Sequence, residues 1–180
     1  MAVLNILKYP HPNLRLRAHP VNAIDADIHK LCDDMLETMY AASGIGLAAT
    51  QVDVRKRVVV IDLSDGNVKG KYSYTNITQV LVNLSKPLCL INPEVKVLDK
   101  NVVPYEEGCL SVPNVNAVVK RPNKILLRAQ TLQDSNMEIE ATGLLATCLQ
   151  HEIDHLDGKL FIDHLSQLKM QQVRRKFKLK

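Results

Sequence analysis

Gly143-Leu144-Leu145-Ala146-Thr147-Cys148-Leu149-Gln150-His151-Glu152-Ile153-Asp154-His155-Leu156 is rich in leucine and alanine and free of proline, the composition of a helix. Helical residues four apart stand one above the other on one face. His151 and His155 can therefore hold one metal ion from a single rigid rod. Glu152, one residue round from the first histidine, is placed to reach a water on that ion rather than the ion itself. His11, His19, His29 and His164 have no such spacing and read as surface or satisfied core residues. Two histidines do not complete a site, because catalytic centres of the zinc type use three protein ligands and leave a fourth position for water. Cys148 precedes His151 by three residues and shares a helix face with it. Cys109, in Glu107-Gly108-Cys109-Leu110-Ser111, would close the coordination sphere from a separate element. Geometry leans toward Cys109, but spacing alone does not choose.

Upstream of this helix the chain reads as β-rich. Arg57-Val58-Val59-Val60-Ile61-Asp62 is a strand pattern, and residues 88–97, 115–120, 124–131 and 137–141 look like further strands with turn residues between them. The polar stretch 64–86 reads as a loop or excursion. Near the start, Asp25 is a plausible N-cap for a helix on which Ile28, Leu31, Cys32, Met35, Leu36, Met39 and Tyr40 recur at helical spacing, with Gly44 at its end. The pairs Tyr9-Pro10, His11-Pro12 and His19-Pro20 favour an extended arm before it, since proline disfavours the α region in the preceding residue. A last helix is expected from about Ser166 to Lys178. Strands in the middle and helices at both ends predict an α+β fold, with mixed or antiparallel sheets around a central metal-binding helix. No linker or repeat divides the chain, so residues 1–180 are read as one domain with a basic helical tail over 164–180.

Hydrophobic residues make up 46% of the 180, enough for a core, and charged residues 23%, near the globular average. The net charge of +4 is a property of the tail. Lys169, Arg174, Arg175, Lys176, Lys178 and Lys180 meet no acid after His164, and without them 17 bases face 19 acids. Such a tail suits an anionic surface or simply a solvated helix end. Cys32, Cys89, Cys109 and Cys148 show no framework spacing. There is no secretory-type leader pattern, and no stretch approaches the ~18 apolar residues that span a bilayer. The expectation is a soluble cytoplasmic protein with reduced thiols and no membrane partner.

A third cluster, Gly44-Ile45-Gly46-Leu47-Ala48-Ala49-Thr50-Gln51, pairs glycines that let a backbone approach a ligand with small alanines behind and a side-chain amide at its end. It lacks the Lys-Ser/Thr ending of a phosphate loop. Taken together, 44–51, 107–111 and 150–155 resemble, complete and in order, the three signature segments of the peptide deformylase family. The flanks Leu90-Ile91-Asn92-Pro93 and Asp157-Gly158-Lys159-Leu160-Phe161 are also similar to that family, and the likeness covers nearly the whole chain. A lone His-Glu-x-x-His occurs in unrelated metalloproteases; the triple combination is far more specific.

The resemblance implies a hydrolase that removes the formyl group from the formyl-methionine of nascent polypeptides and releases formate. It implies Cys109, His151 and His155 as metal ligands, which decides against Cys148. It also implies Glu152 as general acid/base, and Gln51 with the backbone N–H of Leu110 as oxyanion donors. Gly46 would pair its backbone with the substrate. The family's metal is ferrous iron, whereas the ligand types alone suggest zinc, with nickel or cobalt as alternatives in purified protein. Hydroxide generated at the ion would attack the formyl carbon, and Glu152 would carry the proton to the departing amine. Leu144, Thr147 and Cys148 share a helix face with His151 and could line a methionine pocket, with Ile45 opposite and Tyr105 and Glu107 adding to it; Leu144 serves equally well as ordinary core. Two departures stand out. Pro113-Asn114-Val115-Asn116-Ala117 lacks the arginine that related bacterial members carry there to hold the peptide, and Thr147 stands where the family has an aliphatic residue. The basic C-terminal helix resembles the family's ribosome-docking extension, and no DNA partner is expected. Two rival readings remain. One is a metallopeptidase drawing its third ligand from Asp157, Asp163 or His164; the other is an inactive metal module whose tail binds RNA.

Overall fold

The computed structural model describes residues 2–63, 86–133 and 135–179. Helix α1 (Ala26–Ala41) begins where the sequence predicts it, with the Asp25 carboxylate accepting a hydrogen bond from Ile28 N at 3.0 Å. Its end differs from expectation in one respect. The left-handed residue after it is Ser43 (φ 54°), not Gly44. Gly44 is required by space instead, because a Cβ there would lie 2.7 Å from Leu110 Cδ1.

Among the described residues five strands form one antiparallel sheet in chain order: β1 (Gly46–Ala48), β2 (Val58–Ile61), β3 (Leu88–Cys109), β4 (Val112–Gln130) and β5 (Asn136–Thr142). The sheet is therefore antiparallel throughout rather than mixed. The strands expected over 115–120 and 124–131 are one continuous β4. β3 runs well past Val97 to reach Cys109. Residues 121–123, expected as a turn between two strands, continue the strand instead, and Pro122 sits opposite Val102 in the ladder. The excursion expected over 64–86 lies, but for Lys86, outside the described residues, as does Lys180 in the tail.

Val58-Val59-Val60-Ile61 is buried at every position because both faces of the sheet are covered. Val58 and Val60 pack with Ile28, Cys32, Met35 and Met39 of α1. Val59 and Ile61 pack with Leu145, Leu149 and Leu156 of helix α2 (Gly143–Leu156). This is the period-two alternation of a strand read out on two different partners. β5 passes directly into α2 through Gly143 (φ 61°), so the helix is pinned across the sheet with no slack at its start. Helix α3 (Gln167–Lys176) is capped by Ser166 and packs Val173 against Leu160, Phe161 and Ile162. The extended N-terminal arm hydrogen-bonds through Leu7 N to Gln51 O (2.8 Å) and through Tyr9 N to Ser111 O (2.7 Å), tying two distant segments together.

Candidate metal centre

Three elements bring the chemistry to one point. α2 supplies His151 and His155, one turn apart, with ring centroids 5.0 Å from each other. The end of β3 supplies Cys109 at a register shift between Gly108 and Cys109, where the ladder jumps to Val112. Such irregularities re-aim side chains, and here the sulfur is turned toward α2. Cys109 Sγ lies 3.2 Å from His155 Nε2. The ligand atoms of Cys109, His151 and His155 all fall within 4.8 Å of one another. Cys148, the competing thiol, does not join them; its sulfur lies beside Gly46, 3.1 Å from where a Cβ there would be. Asp157, Asp163 and His164 are engaged elsewhere, with Arg57, Arg15 and Asp154 respectively.

The imidazole of His151 is oriented by its other nitrogen, Nδ1, which donates to Glu107 Oε2 at 2.7 Å. Glu107 is gripped in turn by Arg121, Nε to Oε1 at 2.6 Å and Nη2 to Oε2 at 3.0 Å. Arg121 Nη1 reaches Asp154 Oδ2 at 2.8 Å, and the same oxygen meets His164 Nε2 at 2.8 Å. Burial pushes the Glu107 carboxyl up, but the bonds from His151 and Arg121 outweigh it and hold it below its ordinary value. For Asp154, burial is likewise outweighed, by the His164 bond and the charge of Arg121, bringing its pKa to about 2. Glu107 was expected on the pocket wall; it lines the cavity and also orients a ring. Neither Arg121 nor this chain of partners was read from the sequence.

The donor set suits a divalent cation. Burial lowers the His151 pKa, yet Cys109 and Glu107 raise it to about 10. These anionic surroundings hold a proton that a metal ion would displace. Burial, reinforced by the charge of His151, keeps His155 neutral, the state that ligates. A thiolate with two imidazoles fits zinc-like and ferrous ions alike.

Around this point the remaining expected residues gather. Glu152 is buried, and its Oε2 has no hydrogen-bond partner among the described residues. Burial outweighs the pull of His151 and Arg121 and lifts its pKa to about 7. Gln51 is fixed by accepting from Ala48 N (2.8 Å), while its Nε2 donates to Ser111 Oγ (3.0 Å) and faces Cys109 Sγ (3.6 Å). Gly46 leaves room for the carboxylate, since a Cβ there would stand 2.4 Å from Glu152 Oε1. A cavity of about 320 Å³ opens here. Ile45, Tyr105, Leu110, Leu144, Thr147 and Cys148 line it alongside the groups already named, as do Ser43 and Glu106, which the sequence did not single out. In the stretch without arginine, Asn116 pairs across the ladder with Gly108, and a Cβ on Gly108 would meet its Oδ1 at 2.8 Å.

Residues 3–171 match the model of the family described as polypeptide deformylase. A peptide deformylase of Cellvibrio japonicus is 48% identical over 180 residues, covering 100% of this chain and 96% of its own; one of Nitrosococcus oceani is 50% identical over 176 residues, covering 98% and 95%. The crystal structure of the Ehrlichia chaffeensis peptide deformylase in complex with actinonin superposes with a TM-score of 0.84 at 39% identity, over 99% of this chain and 97% of the other. That of Legionella pneumophila gives 0.82 at 40%, over 98% and 96%. Sequence and architecture agree along the whole length, and the chain belongs to the polypeptide deformylase family.

Proposed function

We propose that this protein hydrolyses the formyl group from the N-terminal formyl-methionine of nascent polypeptides, with Cys109, His151 and His155 holding one divalent ion. The observation that carries the reading is the meeting of those three donor atoms within 4.8 Å, beside a buried carboxylate oxygen on Glu152 with no partner among the described residues. An ion held there by Cys109, His151 and His155 would supply Lewis-acid chemistry, making water a competent nucleophile near neutral pH. Glu152, its pKa raised to about 7, would take a proton from the attacking water and return it to the departing amine. The Gln51 amide and the Leu110 N–H donate to the formyl oxygen as charge builds on it, each worth about 10²–10³ in rate. Gly46 pairs its backbone with the peptide, and Ile45, Tyr105, Leu144, Thr147 and Cys148 receive the methionine side chain. Ferrous iron is the native ion in this reading, and zinc, nickel or cobalt can take its place in purified protein. The basic α3 contacts the ribosome, and the enzyme works in the cytoplasm. The site also suits actinonin, the ligand in the Ehrlichia structure.

The test is an anaerobic assay on formyl-Met-Ala with metal analysis of the same sample. Stoichiometric formate, one ion per chain and no cleavage of a blocked peptide at an internal bond are expected. Internal cleavage would favour a metallopeptidase instead.

A further inference from the structure

A second cleft, of about 390 Å³, lies between the β3–β4 ribbon and α3, and Glu106 lines both it and the reactive cavity. Glu106 is thus a wall that the two share. We infer that this cleft holds the substrate polypeptide downstream of its reacting end, and that Lys169 and Lys176 bias it toward acidic side chains about four to six residues in. The inference rests on the deformylase reading and deepens it.

Distances along the elements fit such a path. Glu106 stands three residues before Cys109 on β3, about 10 Å at strand rise, so an extended chain leaving the centre draws level with it at about its third residue. One face of α3 forms a wall of the second cleft. Lys169, Gln172 and Lys176 recur at i, i+3 and i+7, on one side of the helix and about 10 Å end to end, the span of three further extended residues. Lys176 Nζ donates to Asn114 O, anchoring the helix to the turn after the cysteine segment and leaving ammonium donors for another acceptor. The opposite wall, Asn114 to Val118, carries no charge, so Glu106 is the acid that lines the cleft. Among the described residues no carboxylate forms an ion pair with Lys169 or Lys176. The charged residues that line the cleft are thus one acid, Glu106, and two bases, Lys169 and Lys176.

The metal-loaded enzyme is assayed at low salt on three peptides, formyl-Met-Ala-Ser followed by Glu-Asp-Glu, Gln-Asn-Gln or Lys-Arg-Lys, with formyl-Met-Ala as the short control. The readout is the ratio of kcat/KM between tails, which is internal to each preparation and indifferent to how much of it is active. Wild type should favour the acidic tail over the neutral one by about two- to fivefold, expressed in KM and erased by salt. The ratio should fall toward one in K169Q/K176Q and invert in K169E/K176E. An unchanged ratio in both variants overturns the inference. So does an unchanged ratio with weakened co-sedimentation with ribosomes, which would give the lysines to ribosome contact alone. Failure of wild type to release formate from formyl-Met-Ala would sink the deformylase reading itself, and this inference with it.

Discussion

Gly46 shows how little tolerance a single position has at this centre. The Glu152 carboxylate occupies the space in which any side chain there would stand. Gly46→Ala should displace Glu152 by an ångström or so and lower kcat/KM by about 10²-fold while leaving the fold intact, as formate release and circular dichroism would report. Glu152 itself separates binding from chemistry. It is not one of the three residues whose ligand atoms converge, so Glu152→Ala should keep its full complement of metal and lose about 10²–10⁴ of turnover. Metal analysis beside steady-state rates checks both halves, and undiminished turnover would remove Glu152 from the proposed mechanism. Gln51 is held from both ends, by Ala48 N and Ser111 Oγ, so its amide is aimed before any substrate arrives.

At the scale of elements, α2 is the part most legible in the sequence. Its apolar spacing, its two histidines and Glu152 follow from helical periodicity alone. The third ligand did not follow from spacing, which left Cys148 and Cys109 both open; the family resemblance pointed to Cys109, and the register shift at the end of β3 is where its sulfur meets the histidines. The lengths of β3 and β4 were hidden for a related reason. A twisted two-stranded ribbon tolerates prolines and register shifts that read as strand ends when pairing is unknown. Least legible was the chain from His151 through Glu107, Arg121 and Asp154 to His164, whose members are scattered over 58 positions and meet only when β3, β4 and α2 pack. That chain makes a pH prediction. Asp154 has its pKa lowered to about 2, so the stability it contributes is present above its unfolded value near ~4 and is lost as pH falls through that value toward 2. Asp154→Asn should therefore cost about 2 kcal/mol at pH 6, and the gap from wild type should close as acid protonates the native carboxylate. Urea denaturation from pH 6 down to pH 3 measures it; a gap that stays constant would remove Asp154 from the network.

Across the whole molecule, the sheet serves as a plate between α1 and α2, and the centre sits at the edge where α2, the end of β3 and the segment from β1 to Gln51 converge. The N-terminal arm bonds to the backbone of both Gln51 and Ser111, so it bridges the two non-helical parts of the site. The network of Arg121 then fixes β3 and β4 to α2. All three layers serve one outcome, the positioning of a sulfur beside two imidazoles. X-ray absorption at the metal edge of the anaerobically purified protein tests that outcome most directly. For a zinc-loaded sample the account predicts one sulfur scatterer at about 2.3 Å and two imidazole nitrogens at about 2.0–2.1 Å, with the sulfur lost in Cys109→Ser. A shell without sulfur, or a sulfur signal that persists in Cys109→Ser, would contradict it.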